Sequence, residues 1–172
     1  MLFRSVYGNL IISTGMTINS ASGEIEFAAT SGTQQITTNS KTLDFPLTFN
    51  GASGTMAFQD ALTQGTTRAF TITNGTVQFK AGTTNTVGAF ATSGTNQKYL
   101  QSTSAGTQAT LSQASGTVNA NYLTIQDSKA TGGATFNAFT GAGGGSSANN
   151  VNSGNNTGWN FIPSGSGFLS FF

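Results

Sequence analysis

The chain has 172 residues, with a net charge of +1, only 6% charged residues and a 36% hydrophobic share that includes 14 Phe. That length suits one domain, and a charged share so far below the roughly 25% of ordinary domains gives nothing to draw nucleic acid or anionic lipid, while the aromatic content argues against disorder throughout. Cys and His are both absent, which excludes disulfides and thiolate metal sites and removes the commonest general base and transition-metal ligand.

The N-terminal "MLFRSVYGNLIIS" has a short apolar stretch broken by Arg4 and Gly8, unlike a secretory signal. No apolar run reaches the roughly 18 residues of a membrane span. Met1 to Ser5 reads as an adapter-derived scar, and residues 1–7 are set apart as a scar or truncated lead-in.

From residue 8 to 139 the chain repeats itself. Gly-Thr occurs at Gly32-Thr33, Gly54-Thr55, Gly75-Thr76, Gly94-Thr95 and Gly116-Thr117, at spacings of 22, 21, 19 and 22 residues. A small turn former precedes each Gly: Ser31, Ser53, Asn74, Ser93 or Ser115, which marks a corner. After the corner, Met56/Phe58 and Val77/Phe79 alternate with polar or small residues, and Leu10/Ile12 do so after Gly8. Before it come Ile25/Phe27, Leu47/Phe49, Phe70/Ile72, Gly88/Phe90, Ala109/Leu111 and, after the last Gly-Thr, Ala134/Phe136. Period-two alternation means one buried and one wet face. Leu43, Phe45 and Leu62 suggest a third short strand per unit.

Gly, Thr, Asn and Ser are weak helix formers. A turn recurring at a fixed period predicts an all-β, single-stranded parallel β-helix (β-solenoid) of about six coils, roughly 19–25 residues each and wound right-handed, with a rise of about 4.8 Å per coil. Phe27, Phe49, Ile72, Phe90, Leu111 and Phe136 are the expected core column, with the Gly-Thr pairs as a column of corners. In "GTNQKYLQSTS" strict alternation would bury Asn96 and Lys98. An unpaired buried ammonium is costly, so a one-residue bulge turning Tyr99 inward is expected. By composition, residues 140–158 read as a Gly/Asn/Ser-rich linker or loop. Residues 159–172 read as an aromatic cap or partner-binding tail, with Trp159 and Phe161 over the last coil and Phe168, Leu169, Phe171 and Phe172 meeting a partner subunit.

Candidate chemistry is sparse. Glu24 and Glu26 share a strand face, and paired carboxylates are what glycoside hydrolysis requires. The reading adopted is that they solvate the face opposite Ile25 and Phe27. Asp44 and Asp60 are isolated, and Asp127 is expected to form a surface ion pair with Lys129. "GAGGGS" lacks the Lys-Ser/Thr of a phosphate loop and the Asp of calcium-binding nonapeptide repeats. No catalytic, metal or cofactor residue is assigned, and no cofactor is expected. Thr48, Asn50, Thr71, Thr73, Thr110, Ser112, Thr135 and Asn137 form an expected uncharged outer face for association with other copies. Only Thr71 and Thr73 match the Thr-x-Thr pattern of ice-binding solenoids.

The stretch from "GNLIISTGMTINSASGEIEF" to "TITNGTVQF", with "NYLTIQDSKATGGATFNAF" and "NNTGWNF", resembles repetitive β-solenoid structural proteins of environmental phages, of tail-fibre or virion-surface type, and related bacterial surface adhesins. The resemblance implies a virion-associated or extracellular, cell-surface location. It also implies self-association as a trimer or fibre, or contact with other virion or surface proteins, and a host-surface glycan as a further partner. It carries over no functional residue. A secreted adhesin segment is the alternative, with a polysaccharide-degrading enzyme and an ice-binding solenoid behind it.

Overall fold

A computed structural model describes residues 3–19, 23–140 and 147–162. Among them there is no helix, and the strand pairings are parallel. The chain winds through about seven turns. The first coil holds β1 (Phe3–Val6) and β2 (Leu10–Ile11), and the second β3 (Glu24–Phe27), β4 (Thr33–Thr37) and β5 (Thr42–Leu43). The third holds β6 (Leu47–Phe58) and β7 (Thr63–Gln64), and the fourth β8 (Ala69–Phe79) and β9 (Thr84–Val87). The fifth holds β10 (Ala89–Thr92), β11 (Lys98–Ser102) and β12 (Ala109–Gln113), and the sixth β13 (Thr117–Asn119), β14 (Leu123–Gln126) and β15 (Ser128–Gly132). β16 (Thr135–Asn137) and β17 (Val151–Asn152) belong to the seventh, and β18 (Trp159–Asn160) stacks on β16.

Three faces result. The first is β1, β3, the leading halves of β6 and β8, and β10, followed along the rod by β13, β16 and β18. The second is β2, β4, the trailing halves of β6 and β8, then β11, β14 and β17. The third is β5, β7, β9, β12 and β15. The interior is rich in stacked aromatic rings in coils 2 to 5. Phe27 lies on Phe49 with centroids 5.1 Å apart, Phe49 on Phe70 at 4.7 Å, Phe70 on Phe90 at 5.8 Å, and Phe58 on Phe79 at 5.3 Å. Each such pair adds about 0.5–1.5 kcal/mol beyond the area it buries.

The expected core column is corrected in register. Phe27, Phe49 and Ile72 are successive partners. Phe90 instead sits opposite Phe70, and Thr92 opposite Ile72. Leu111 belongs to the third face, between Asn85 and Ala130, and Phe136 stands between Val118 and Trp159 on the first. All six are buried, so the inward assignment was legible while the column was not. Side chains alternate with a period of two, so a two-residue offset leaves the in/out pattern unchanged, and alternation carries no label for which face a strand serves.

The corners divide in the same way. Thr33, Thr55 and Thr76 are in register on the second face, but Tyr99 takes the next place and Thr95 stands exposed in the preceding turn. Thr117 pairs with Thr135 on the first face, so Gly116-Thr117 marks a different corner. Gly32, Gly75, Gly94 and Gly116 have φ of 67°, 81°, 73° and 93°, the left-handed region that Gly enters freely. Gly54 is required by proximity instead: the carbonyl of Ala29 occupies the place of its Cβ.

Both ends of the repeat reach further than expected. Phe3–Val6 pairs residue by residue with Glu24–Phe27, so the supposed lead-in is a strand of the stack. Within the supposed linker, Ser147, Ala148 and Asn150 are buried and β17 stacks on β14. Asn150 accepts from Leu123 N and donates to the carbonyls of Ala120 and Phe139, giving residues 147–152 a fixed place despite their low hydrophobicity. Trp159 is buried against Phe136, and Phe161 packs partly buried beside the core. Phe168, Leu169, Phe171 and Phe172, expected to meet a partner subunit, lie outside the described residues.

Candidate functional site

The eight residues expected as one outer face lie on two sides of the rod. Thr48 is opposite Thr71 on the first face. Asn50 is opposite Asn74, because Thr73 is an extra residue in β8. Thr135 and Asn137 lie further along that face, opposite Thr117 and Asn119. Thr110 and Ser112 are on the third face, opposite Thr84 and Thr86. The single face is therefore corrected, for the same reason as the core column.

What the first face does present is a ladder at its corner. Asn50 Nδ2 donates to Glu26 Oε1 at 2.9 Å, Asn74 Nδ2 to Asn50 Oδ1 at 2.7 Å, and Asn96 Nδ2 to Asn74 Oδ1 at 2.9 Å. A second ladder runs from Asn160 to Asn137 at 3.0 Å and from Asn137 to Asn119 at 3.1 Å. A carboxamide carries donors and an acceptor, so each rung can bond to the coil on either side. Glu26, an acceptor only, ends the first ladder and also takes the Ser5 hydroxyl at 2.9 Å, while Glu24 takes the Thr48 hydroxyl.

The other carboxylates are dispersed. Asp44 pairs with Arg68, Nε to Oδ1 at 2.7 Å and Nη2 to Oδ2 at 3.2 Å, and this hydrogen bonding raises the guanidinium pKa. Asp60 accepts from the backbone N–H groups of Thr38 and Asn39 and so holds a turn. Asp127 corrects its expected pairing with Lys129. It is buried with φ of 53° and bonds Gly106 N at 3.1 Å and Asn155 Nδ2 at 2.6 Å, while Lys129 is exposed. Its partners come from coils on either side of it, which sequence spacing does not reveal. Among the described residues no three Asp, Glu, His or Cys gather to hold a metal ion.

The expected bulge at Tyr99 is also corrected. Lys98 points inward and is fully buried, and Tyr99 is 38% exposed. Leu100 pairs with Val77 and Ile125, which fixes Lys98 inside two residues away. Its Nζ donates to the carbonyls of Asn121, Gly94 and Tyr122 at 3.2, 3.3 and 3.5 Å and lies 5.7 Å from the Tyr122 ring centroid. Three carbonyls match the three donors of an ammonium. Burial still lowers the Lys98 pKa below its ordinary value.

Sequence reasoning missed the buried amides that bracket the corners. Gln64 donates to the carbonyls of Phe45 and Ala69, both at 2.9 Å, and accepts from Gly88 N at 3.2 Å. Gln113 accepts from Phe90 N at 2.7 Å and donates to Ser115 O at 2.9 Å. Asn85 accepts from Leu62 N at 3.0 Å. Each satisfies backbone groups that the turning chain leaves unpaired. A Gln directly before a turn, as in Gln64-Gly65 and Gln113-Ala114, was the available signal.

The second face presents two outward columns. Thr33, Thr55, Thr76, Tyr99, Thr124 and Val151 form one. Gln35, Ala57, Gln78, Gln101 and Gln126 form the other. Comparison with protein-family models, curated proteins and solved structures finds no match to this chain.

Proposed function

We propose that the chain is a structural and adhesive β-solenoid segment of a phage tail fibre or virion-surface protein, acting as a rigid rod and recognition scaffold without enzymatic chemistry. The observation that carries this reading is the stack itself. Parallel pairing runs from Phe3 to Asn160, with aromatic columns inside and Asn ladders at the corner. Seven turns at about 4.8 Å each make a rod about 34 Å long. The dispersal of Asp44, Asp60 and Asp127, each already bonded within the protein, supports recognition by surfaces over catalysis by paired carboxylates.

Immunogold labelling of virions and cells that carry the gene tests this. Label on tails or particle surfaces is expected. Label on bacterial envelopes would transfer the rod to a surface adhesin, and label confined to cell interiors would overturn both.

A further inference from the structure

On the second face the outward positions of β4, β6, β8, β11 and β14 carry Thr, Gln, Ala and one Tyr, with no carboxylate. Lys80, exposed, continues the outward alternation of Thr76 and Gln78 one place past the end of β8. Within this uncharged field Tyr99 is 38% exposed. Beside it the amides of Gln78, Gln101 and Gln126 follow one another on adjacent strands, about 4.8 Å apart.

These amides differ from the Asn ladder. The Asn rungs bond at 2.7–2.9 Å in the first ladder. Gln78 reaches Gln101 only at 3.5 Å, the limit of a hydrogen bond. Among the described residues none hydrogen-bonds the side chain of Gln126. Donors and acceptors on this face are therefore left to the solvent or to a ligand.

We propose that this face binds an uncharged, extended polysaccharide. One sugar ring lies on the Tyr99 ring, whose electron-rich face attracts the C–H groups of a pyranose. Gln78, Gln101 and Gln126 exchange hydrogen bonds with the hydroxyls of that ring and its neighbours. The uncharged strand positions around Tyr99 suit a neutral polymer, and the cation beside them, Lys80, stands at the edge of the field. The site deepens the adhesive reading given above and rests on it.

Affinity electrophoresis of the full chain tests the site, in gels containing mixed-linkage β-glucan, xyloglucan or galactomannan, with polygalacturonate as the anionic counterpart. At least one neutral polymer is expected to retard the protein. Tyr99→Ala should weaken that binding by about tenfold or more, Gln101→Ala severalfold, and Tyr99→Trp and the third-face variant Thr110→Ala little. Unchanged circular dichroism and melting temperature confirm that the variants fold. The site is overturned if no neutral polymer retards the chain, if Tyr99→Ala binds as well as wild type, or if polygalacturonate binds equally. It is also overturned if Tyr99→Ala turns an oligomer into a monomer on sedimentation, since the face would then be covered by a second copy. Loss of the site in this way leaves the scaffold reading standing, because virion labelling tests that separately.

Discussion

Coils 2 to 4 and coils 5 to 7 share one alternation pattern yet hold together by different means. In the first region near-copies stack on either side of the register shift at Thr73: Phe on Phe inside, Thr on Thr at the corner. In the second, β10 is offset so that Phe90 meets Phe70, and to the buried amides that coils 3 and 4 already hold as Gln64 and Asn85 the interior adds an ammonium. Lys98, Gln113 and Asn150 are buried there, each bonded to backbone groups at a turn. A solenoid can thus replace apolar columns with internal hydrogen bonds, provided the buried groups find partners.

The largest expected effect tests the aromatic half of this contrast. Phe49→Ala removes contacts with Phe27, Phe58 and Phe70 and should fall near the top of the roughly 3–5 kcal/mol range for Phe truncation. Phe136→Ala, whose ring partner is Trp159, should fall near the bottom. Equal urea midpoints for the two variants would show the halves to be equally tight.

Next come the corners. At Gly75 the φ is 81° and the carbonyls of Gly51 and Gly54 fill the place of a Cβ. Gly75→Ala should therefore cost more than the roughly 1–3 kcal/mol of dihedral strain alone. Gly94 has φ of 73° but open space around it, so Gly94→Ala should cost about 1–2 kcal/mol. Thermal unfolding that ranks them the other way would mean that crowding at the regular corner is relieved by backbone movement.

Lys98 separates the halves by pH. Burial lowers its folded pKa below the ordinary 10.5, so the unfolded chain binds the proton more tightly. Stability should then rise as pH climbs through the folded pKa and level off above the unfolded value. Lys98→Met keeps the stem and lacks the titration, so the wild-type minus variant difference in urea midpoint should grow between neutral pH and about pH 10. A flat difference would mean that the three carbonyls compensate the ammonium fully.

The smallest effect concerns the ladders. Asn74→Ala breaks two rungs, to Asn50 and from Asn96, and Asn137→Ala also breaks two, to Asn119 and from Asn160. Each should cost about 1–2 kcal/mol. A marked inequality in melting temperature would show that one corner draws more on its ladder than the other.

Much of the fold was legible because stacking demands repetition. Gly32, Gly54 and Gly75 recur at one corner, and the inward residues from Phe27 to Phe136 are buried as their alternation requires. The candidate surface was less legible. Thr110 and Thr48 look alike in sequence but lie on different sides of the rod, since alternation distinguishes in from out and not one face from another. The cost of an unpaired ammonium inside points Tyr99 inward on sequence grounds, but the carbonyls of Asn121 and Tyr122 from the next coil give Lys98 its partners.

By itself, then, the sequence determined a parallel solenoid with an apolar interior and glycine corners, because near-identical units can satisfy their strand edges only on one another. The tertiary structure alone decided the register beyond coil 4, the inward turn of Lys98, the place of residues 147–160 and the outward columns around Tyr99 and Gln101. Those depend on partners some 20 or more residues away along the chain, whose offset a period of two leaves open.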